Sequence, residues 1–161
     1  MAIIELELWR GYDPSLPHTH APGFDPLAGE GVRFAPGRWH TRHQGRHLVY
    51  ASEHPALALC ELLAHDDGLA EVVLVGFKLR APGLDEIPRR QVAAFLGPEG
   101  YGETQKIGDR WYASGEHPVL RVPSALLPLA HNYLIKPRDS RVSLRIFREE
   151  RLAVDERLRC R

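Results

Sequence analysis

Apolar and acidic side chains alternate from Ile3 to Arg10 (Ile4-Glu5-Leu6-Glu7-Leu8), the period-2 pattern of a half-buried strand. Trp9-Arg10 ends the run, and Gly11 and Pro14 break it, so Arg10 falls at a strand end. From Gly11 to Arg46 no periodicity holds, and Pro14, Pro17, Pro22, Pro26 and Pro36 punctuate a glycine-rich stretch. An irregular segment of this length in a compact domain is functional or mobile. His47 to Ala51 reads as a short strand. Ser52 is placed to cap the helix that follows, with Pro55 in the tolerated first turn and Asp66-Asp67-Gly68 as its end. Glu71 to Leu79 is β-rich, and its first half is apolar on both faces, as in a central strand.

Further helices are predicted over Arg89–Leu96 and Gly102–Ala113. Strands are predicted from Val119 toward Leu127, interrupted at Pro123, over Asn132–Ile135 and over Val142–Phe147, with Leu152–Leu158 closing the chain. No repeat is present. The order of elements predicts an α+β fold on a mixed or antiparallel sheet, and 161 residues fit one domain spanning the chain.

A 43% hydrophobic, 26% charged composition with zero formal net charge argues against a general nucleic-acid or membrane-surface binder. Two cysteines, Cys60 and Cys160, do not make a disulfide framework, and two reduced thiols fit a cytoplasmic protein. The acidic, alternating N-terminus is no signal peptide, and no apolar run reaches membrane-span length.

Charge is nevertheless uneven. Arg33, Arg38, Arg42 and Arg46 occur close together, without a single acidic residue between Gly31 and Ser52. Among glycines 29, 31, 37 and 45 such a run suits a phosphate, with nucleic acid as the alternative partner. Downstream, Ala56 to Ala64 is apolar on every face except for Glu61, so the helix is expected to be buried and its carboxylate to need partners. Glu61 either pairs with an arginine and locks helix to sheet, or sits beside a sugar and stabilises positive charge developing at a glycosidic bond. His40, His43 and His47 superficially resemble a metal set, but no acid or cysteine completes it, so exposed histidines and no metal are expected. No Gly-x-Ser-x-Gly elbow supports a serine hydrolase.

Several segments, in order along the chain, resemble the RES-domain family, toxins of bacterial toxin–antitoxin pairs named for an arginine, a glutamate and a serine. They are Trp9-Arg10; Gly29-Glu30-Gly31-Val32-Arg33-Phe34-Ala35-Pro36-Gly37-Arg38-Trp39; Val49-Tyr50-Ala51-Ser52; Ala56-Leu57-Ala58-Leu59-Cys60-Glu61; and Leu120-Arg121-Val122-Pro123-Ser124-Ala125, followed by Asn132-Tyr133-Leu134. The resemblance implies an ADP-ribosyltransferase-like fold and consumption of NAD+ as substrate, with cleavage of the nicotinamide–ribose bond by phosphorolysis or hydrolysis. Glu61 would be the catalytic carboxylate, with Arg10 and Tyr50 beside it. Arg10 and Arg38 would hold the pyrophosphate, Tyr50 would pack on nicotinamide or ribose, Ser124 would position the ligand, and Trp39 and Asn132 would complete the NAD+ pocket. Arginine suits its role because its planar fork bonds a phosphate twice.

Two positions depart from the family pattern, which has paired glycines before the arginine and an asparagine after the tryptophan. Here the residues are Pro36-Gly37 and Trp39-His40. The resemblance also implies a partner, an Xre-family helix-turn-helix antitoxin that blocks the pocket and assembles with the toxin, which itself binds no DNA. Transfer of ADP-ribose to a protein is the alternative within the class. An RNA-cleaving or nucleic-acid-binding toxin using Arg33 to His47 is the alternative outside it.

Overall fold

The computed structural model describes residues 3–159. Cys160 therefore lies outside the described residues, while Cys60 is free and exposed. Seven strands form one mixed sheet: β1 Ile4–Tyr12, β2 Val49–Ser52, β3 Glu71–Ala81, β4 Asp85–Glu86, β5 Val119–Pro123, β6 His131–Ile135 and β7 Ser143–Ala153, in the order β4-β5-β6-β2-β1-β3-β7. Only β4 and β5 run parallel. Three helices accompany it: α1 Pro55–His65, the short α2 Arg89–Val92 and α3 Tyr101–Ser114.

Alternation in β1 sets its register against β3. Ile4, Leu6 and Leu8 turn to the core, while Glu5 lies 3.5 Å from Arg80 and Glu7 3.6 Å from Lys78 on the wet face. A one-residue slip would bury those charges. The exposed pairs add about 0–1 kcal/mol each, whereas burying Leu8 or Phe77 contributes roughly 1.5–3 kcal/mol. The apolar pattern thus holds the fold, and the charges select the register.

One face of the sheet buries Leu8, Val49, Ala51, Phe77, Leu79, Val119 and Ile135. The other buries Leu120, Val122 and Leu134 against Val92, Leu96, Trp111 and the loop residues Val32, Trp39 and Leu48. α1 covers β3 through Leu59, Leu62 and Leu63, which meet Leu69, Val72 and Val154.

The sheet is nearly divided at its centre. β1 pairs with β3 from Ile4↔Ala81 to Tyr12↔Val73, yet with β2 at Trp9↔Ser52 alone. Beyond that bridge the strands separate, and the Arg10 guanidinium donates to the Tyr50 carbonyl at 3.3 Å. A side chain thus satisfies a strand carbonyl that a ladder would otherwise have taken. The cleft described below opens there.

Several sequence expectations need correction. α1 is not buried on every side: Leu57 and Ala58 are buried, but Ala56, Cys60 and Ala64 face solvent because only one side of the helix meets the sheet. Its cap is His54, whose Nδ1 accepts the Ala56 amide at 3.1 Å, and not Ser52, which is the last residue of β2. The helix expected over Arg89–Leu96 is a four-residue turn of α2 continued by a 3-10 turn at Ala93–Phe95. The strand expected over Val142–Phe147 does not stop there: β7 runs on through Arg148-Glu149-Glu150-Arg151 to Ala153. It is an edge strand whose Leu144 packs on the core while Arg145 to Glu149 are exposed, and its charges pair along the surface, Arg148 with Glu150 and Arg151 with Glu71.

Candidate active site

Glu61 lies on α1, on the side turned toward the sheet. Its Oε1 accepts two neutral donors, the Ser124 hydroxyl at 2.7 Å and the Asn132 amide at 2.6 Å. Ser52 Oγ donates to Asn132 Oδ1 at 2.7 Å, fixing which way that amide points. The Ser124 hydroxyl accepts the Leu126 and Leu127 amides at 3.1 Å each, so its proton has one destination, Glu61. Among the described residues no protein donor reaches Glu61 Oε2, and no cation stands within ion-pair distance of the carboxylate. The architectural arginine pair considered from the sequence is thus not formed. Pinning one oxygen with neutral donors leaves the negative charge intact and aims the other oxygen.

Arg10 is the counterpart of this carboxylate. It lies where β1 leaves β2, has no ionic partner among the described residues, and its Nε is buried without a hydrogen bond. Burial pulls its pKa below the ordinary guanidinium value. A desolvated cation lacking a counter-ion is a costly arrangement that an anionic ligand relieves. Arg38 is held differently, donating to the carbonyls of Phe95 at 3.1 Å and Gly97 at 3.3 Å with its guanidinium 4.2 Å over the Tyr101 ring. These contacts fix the planar group and leave its charge uncompensated.

Arg38 and Trp39 form the tip of a tight turn closed by Gly37 N–H to His40 O at 3.1 Å. α3 clamps the turn: Thr104 Oγ1 donates to Arg38 O at 2.7 Å and Gln105 Nε2 to Gly37 O at 2.8 Å. Trp39 is buried, and its amide donates to the Tyr50 hydroxyl at 3.2 Å. Burial raises the Tyr50 pKa above its ordinary value, so the phenol stays protonated.

A cleft of about 490 Å³ gathers these groups, with Arg10, Arg38, Trp39, His40, Tyr50, Ser52, Glu61, Tyr101 and Asn132 in its wall. Of the sequence candidates, Arg10, Arg38, Trp39, Tyr50, Glu61 and Asn132 share this cleft. Ser124 is fully buried outside its lining and reaches the cleft only through Glu61.

The remaining basic residues do not converge. Arg33 bonds the Gln44 carbonyl, Arg42 bonds the Arg33 carbonyl, and Arg46 pairs with Asp109 at 2.6 Å. The run is therefore mostly a self-bracing loop. Nor are the histidines all exposed: His40 and His47 are buried, and His47 bonds the Ala28 carbonyl. Elsewhere, Asp85, Glu116 and His117 bring potential ligand atoms within 4.8 Å of one another, a grouping the sequence did not reveal. Asp85 there accepts Trp111 Nε1 and both His117 donors, which makes it a strut between β4 and α3. Tyr101, His40 and Ser52 are polar cleft residues missed from sequence. Ser52 lies in a family-like segment and His40 at a departure from the family pattern, which were the hints to them, whereas Tyr101 lies far along the chain from the other candidates.

The fold is similar to one in the crystal structure of the MbcT–MbcA toxin–antitoxin complex of M. tuberculosis. The match has a TM-score of 0.66 at 15% identity and covers 93% of this chain and 85% of that one. The RES domain family model matches residues 7–155. A protein of Pseudomonas putida named Toxin Res is 32% identical over 136 residues, covering 82% of this chain and 92% of that protein. A Toxin Res of Photorhabdus laumondii is 28% identical over 114 residues, 68% of this chain and 72% of its own length. The chain belongs to the RES-domain family.

Proposed function

We propose that this protein is a toxin that cleaves the nicotinamide–ribose bond of NAD+. The observation that carries the reading is the pairing, in one cleft, of an arginine lacking a counter-ion with a carboxylate whose Oε1 is pinned and whose Oε2 is free. A pyrophosphate supplies the anion that Arg10 and Arg38 lack. Glu61 Oε2 holds a ribose hydroxyl and stabilises the oxocarbenium charge as the C–N bond breaks. The bonding pair leaves with the ring nitrogen, so neutral nicotinamide departs without a proton donor. Water or phosphate then bonds the exposed ribose carbon and loses its proton to solvent. Tyr50 and Trp39 offer the apolar wall that an aromatic base needs.

Names of relatives and neighbour support the toxin class, and the neighbour's complex supports an antitoxin partner. In our reading the partner is of the Xre helix-turn-helix type and covers the cleft of a cytoplasmic, single-domain toxin. Exposed Phe34, Leu126, Leu127 and Leu129, on the loops that carry cleft residues, offer it an apolar rim. Among the described residues no helix is long and apolar enough to cross a membrane.

The test is incubation of the purified protein with NAD+, with and without phosphate. Nicotinamide release with ADP-ribose or its phosphorylated form supports the reading. Label from NAD+ retained on a polypeptide redirects it to protein ADP-ribosylation. Intact NAD+ under all conditions overturns it.

A further inference from the structure

His40 stands where the family pattern has asparagine, and its two ring nitrogens have different partners. Nε2 is 2.9 Å from the Ala35 carbonyl, which can only accept, so Nε2 carries the ring proton. Nδ1, 2.6 Å from the Tyr50 hydroxyl, is then a bare acceptor in the neutral ring, and the phenol proton points at it. The phenol oxygen also accepts the Trp39 amide at 3.2 Å. With its proton and one lone pair engaged, it has one lone pair left.

The surroundings hold this arrangement. His40 is 7% exposed, and burial pulls its pKa below the ordinary histidine value, with Arg46 acting in the same direction and Asp109 and the Ala35 carbonyl opposing. The ring is therefore neutral at neutral pH. Gly37 packs on the pair so closely that a Cβ there would lie 2.5 Å from His40 Cε1 and 2.9 Å from the Tyr50 oxygen. Any side chain at Gly37 would push the two rings apart.

We propose that His40 locks the Tyr50 hydroxyl as a hydrogen-bond acceptor toward the cleft, so the ligand group that meets it must be a donor, an O–H or amide N–H. A phosphate oxygen is rejected at this end and goes to the arginines. Naming the donor as the ribose or carboxamide of NAD+ rests on the function proposed above. His40 is a positioning residue: it acts on the ligand through Tyr50.

Two measurements test this. First, long-range proton–nitrogen NMR of the 15N-labelled wild-type protein at neutral pH should show His40 protonated at Nε2 and bare at Nδ1. A proton on Nδ1 would overturn the proposal, and this result does not depend on any enzymatic activity. Second, in NAD+ turnover, His40→Leu should raise KM roughly 2- to 12-fold, the value of one neutral hydrogen bond, with kcat changed less than about twofold. His40→Asn, whose side-chain oxygen reaches the Nδ1 position, should restore most of the loss. Equal KM for the two variants, or a fall in kcat alone, contradicts the acceptor role. Absence of wild-type turnover would sink the functional reading while the NMR still decides the orientation of Tyr50.

Discussion

Replacing Ser124 with alanine separates a residue that touches ligand from one that acts through Glu61. The hydroxyl is fully buried and gives its only proton to Glu61 Oε1 at 2.7 Å, a hydrogen bond to a charged group. Such bonds contribute about 1.5–3 kcal/mol, which corresponds to roughly 10- to 150-fold in rate if all of it acts in the transition state. Asn132 still donates to the same oxygen at 2.6 Å, so the lower half of that range is expected, in kcat. KM for NAD+ should stay within about twofold, because Ser124 lies outside the cleft wall. The Leu126 and Leu127 amides lose their acceptor, but both residues are exposed and water can replace it. The folding cost is about 1–2 kcal/mol, a melting-temperature drop of roughly 2–8 °C. Steady-state kinetics with nicotinamide detection, alongside thermal melts, reads all three quantities. A KM that rises tenfold with kcat unchanged would refute the reasoning and return Ser124 to ligand contact.

Other expectations follow from the same geometry. Gly108→Ala drives a methyl into the Trp39 carbonyl, so α3 must move off the turn carrying Arg38. A loss of about 1–3 kcal/mol by denaturant titration is expected together with weaker NAD+ binding. Asp109→Asn removes the half-buried partner of Arg46 and weakens the bonds to Thr41, and should lower stability by about 1–2 kcal/mol and loosen the loop to limited proteolysis. His40 is held below its unfolded value, so the unfolded chain binds its proton first and stability falls as pH drops below about 6.5. In His40→Asn that part of the slope should vanish from melts taken between neutral and mildly acidic pH. Asp85 and Asp109 are also lowered, so their contribution persists above their unfolded value near 3.8 and is lost only in stronger acid.

How far the sequence carried these conclusions depended on whether a signal was local. Alternation in Ile4–Leu8 and the two-sided apolar run of β3 report burial directly, and the structure keeps both. The alternation of Val142–Phe147 marked the first half of β7, but its continuation through Arg148–Arg151 was missed because that exposed part of an edge strand has no burial to report. A single charge in an apolar helix pointed to Glu61, yet whether it met an arginine or neutral donors rests on Ser124 and Asn132, far along the chain. Pattern cannot measure that distance, and the family resemblance gave Ser124 and Asn132 roles toward the ligand rather than toward Glu61. The four arginines looked alike in sequence, but only Arg38 lines the cleft. What separates them is the identity of nearby carbonyls and of Asp109, which spacing does not encode. His40 was read as exposed because a polar residue in a glycine-rich loop is exposed by default. Its burial follows from two partners, Ala35 and Tyr50, that form only in the folded turn.

The central claim is that the free oxygen of Glu61 stabilises charge at the breaking bond. Glu61→Gln keeps the shape and the Ser124 contact and removes the charge, so nicotinamide release from NAD+ by this variant, compared with wild type at equal protein and saturating substrate, is the most direct test. Turnover by wild type and a loss of at least about 100-fold in the variant are expected, with the fold retained by circular dichroism. Wild-type rates from the glutamine variant would contradict that role of Glu61.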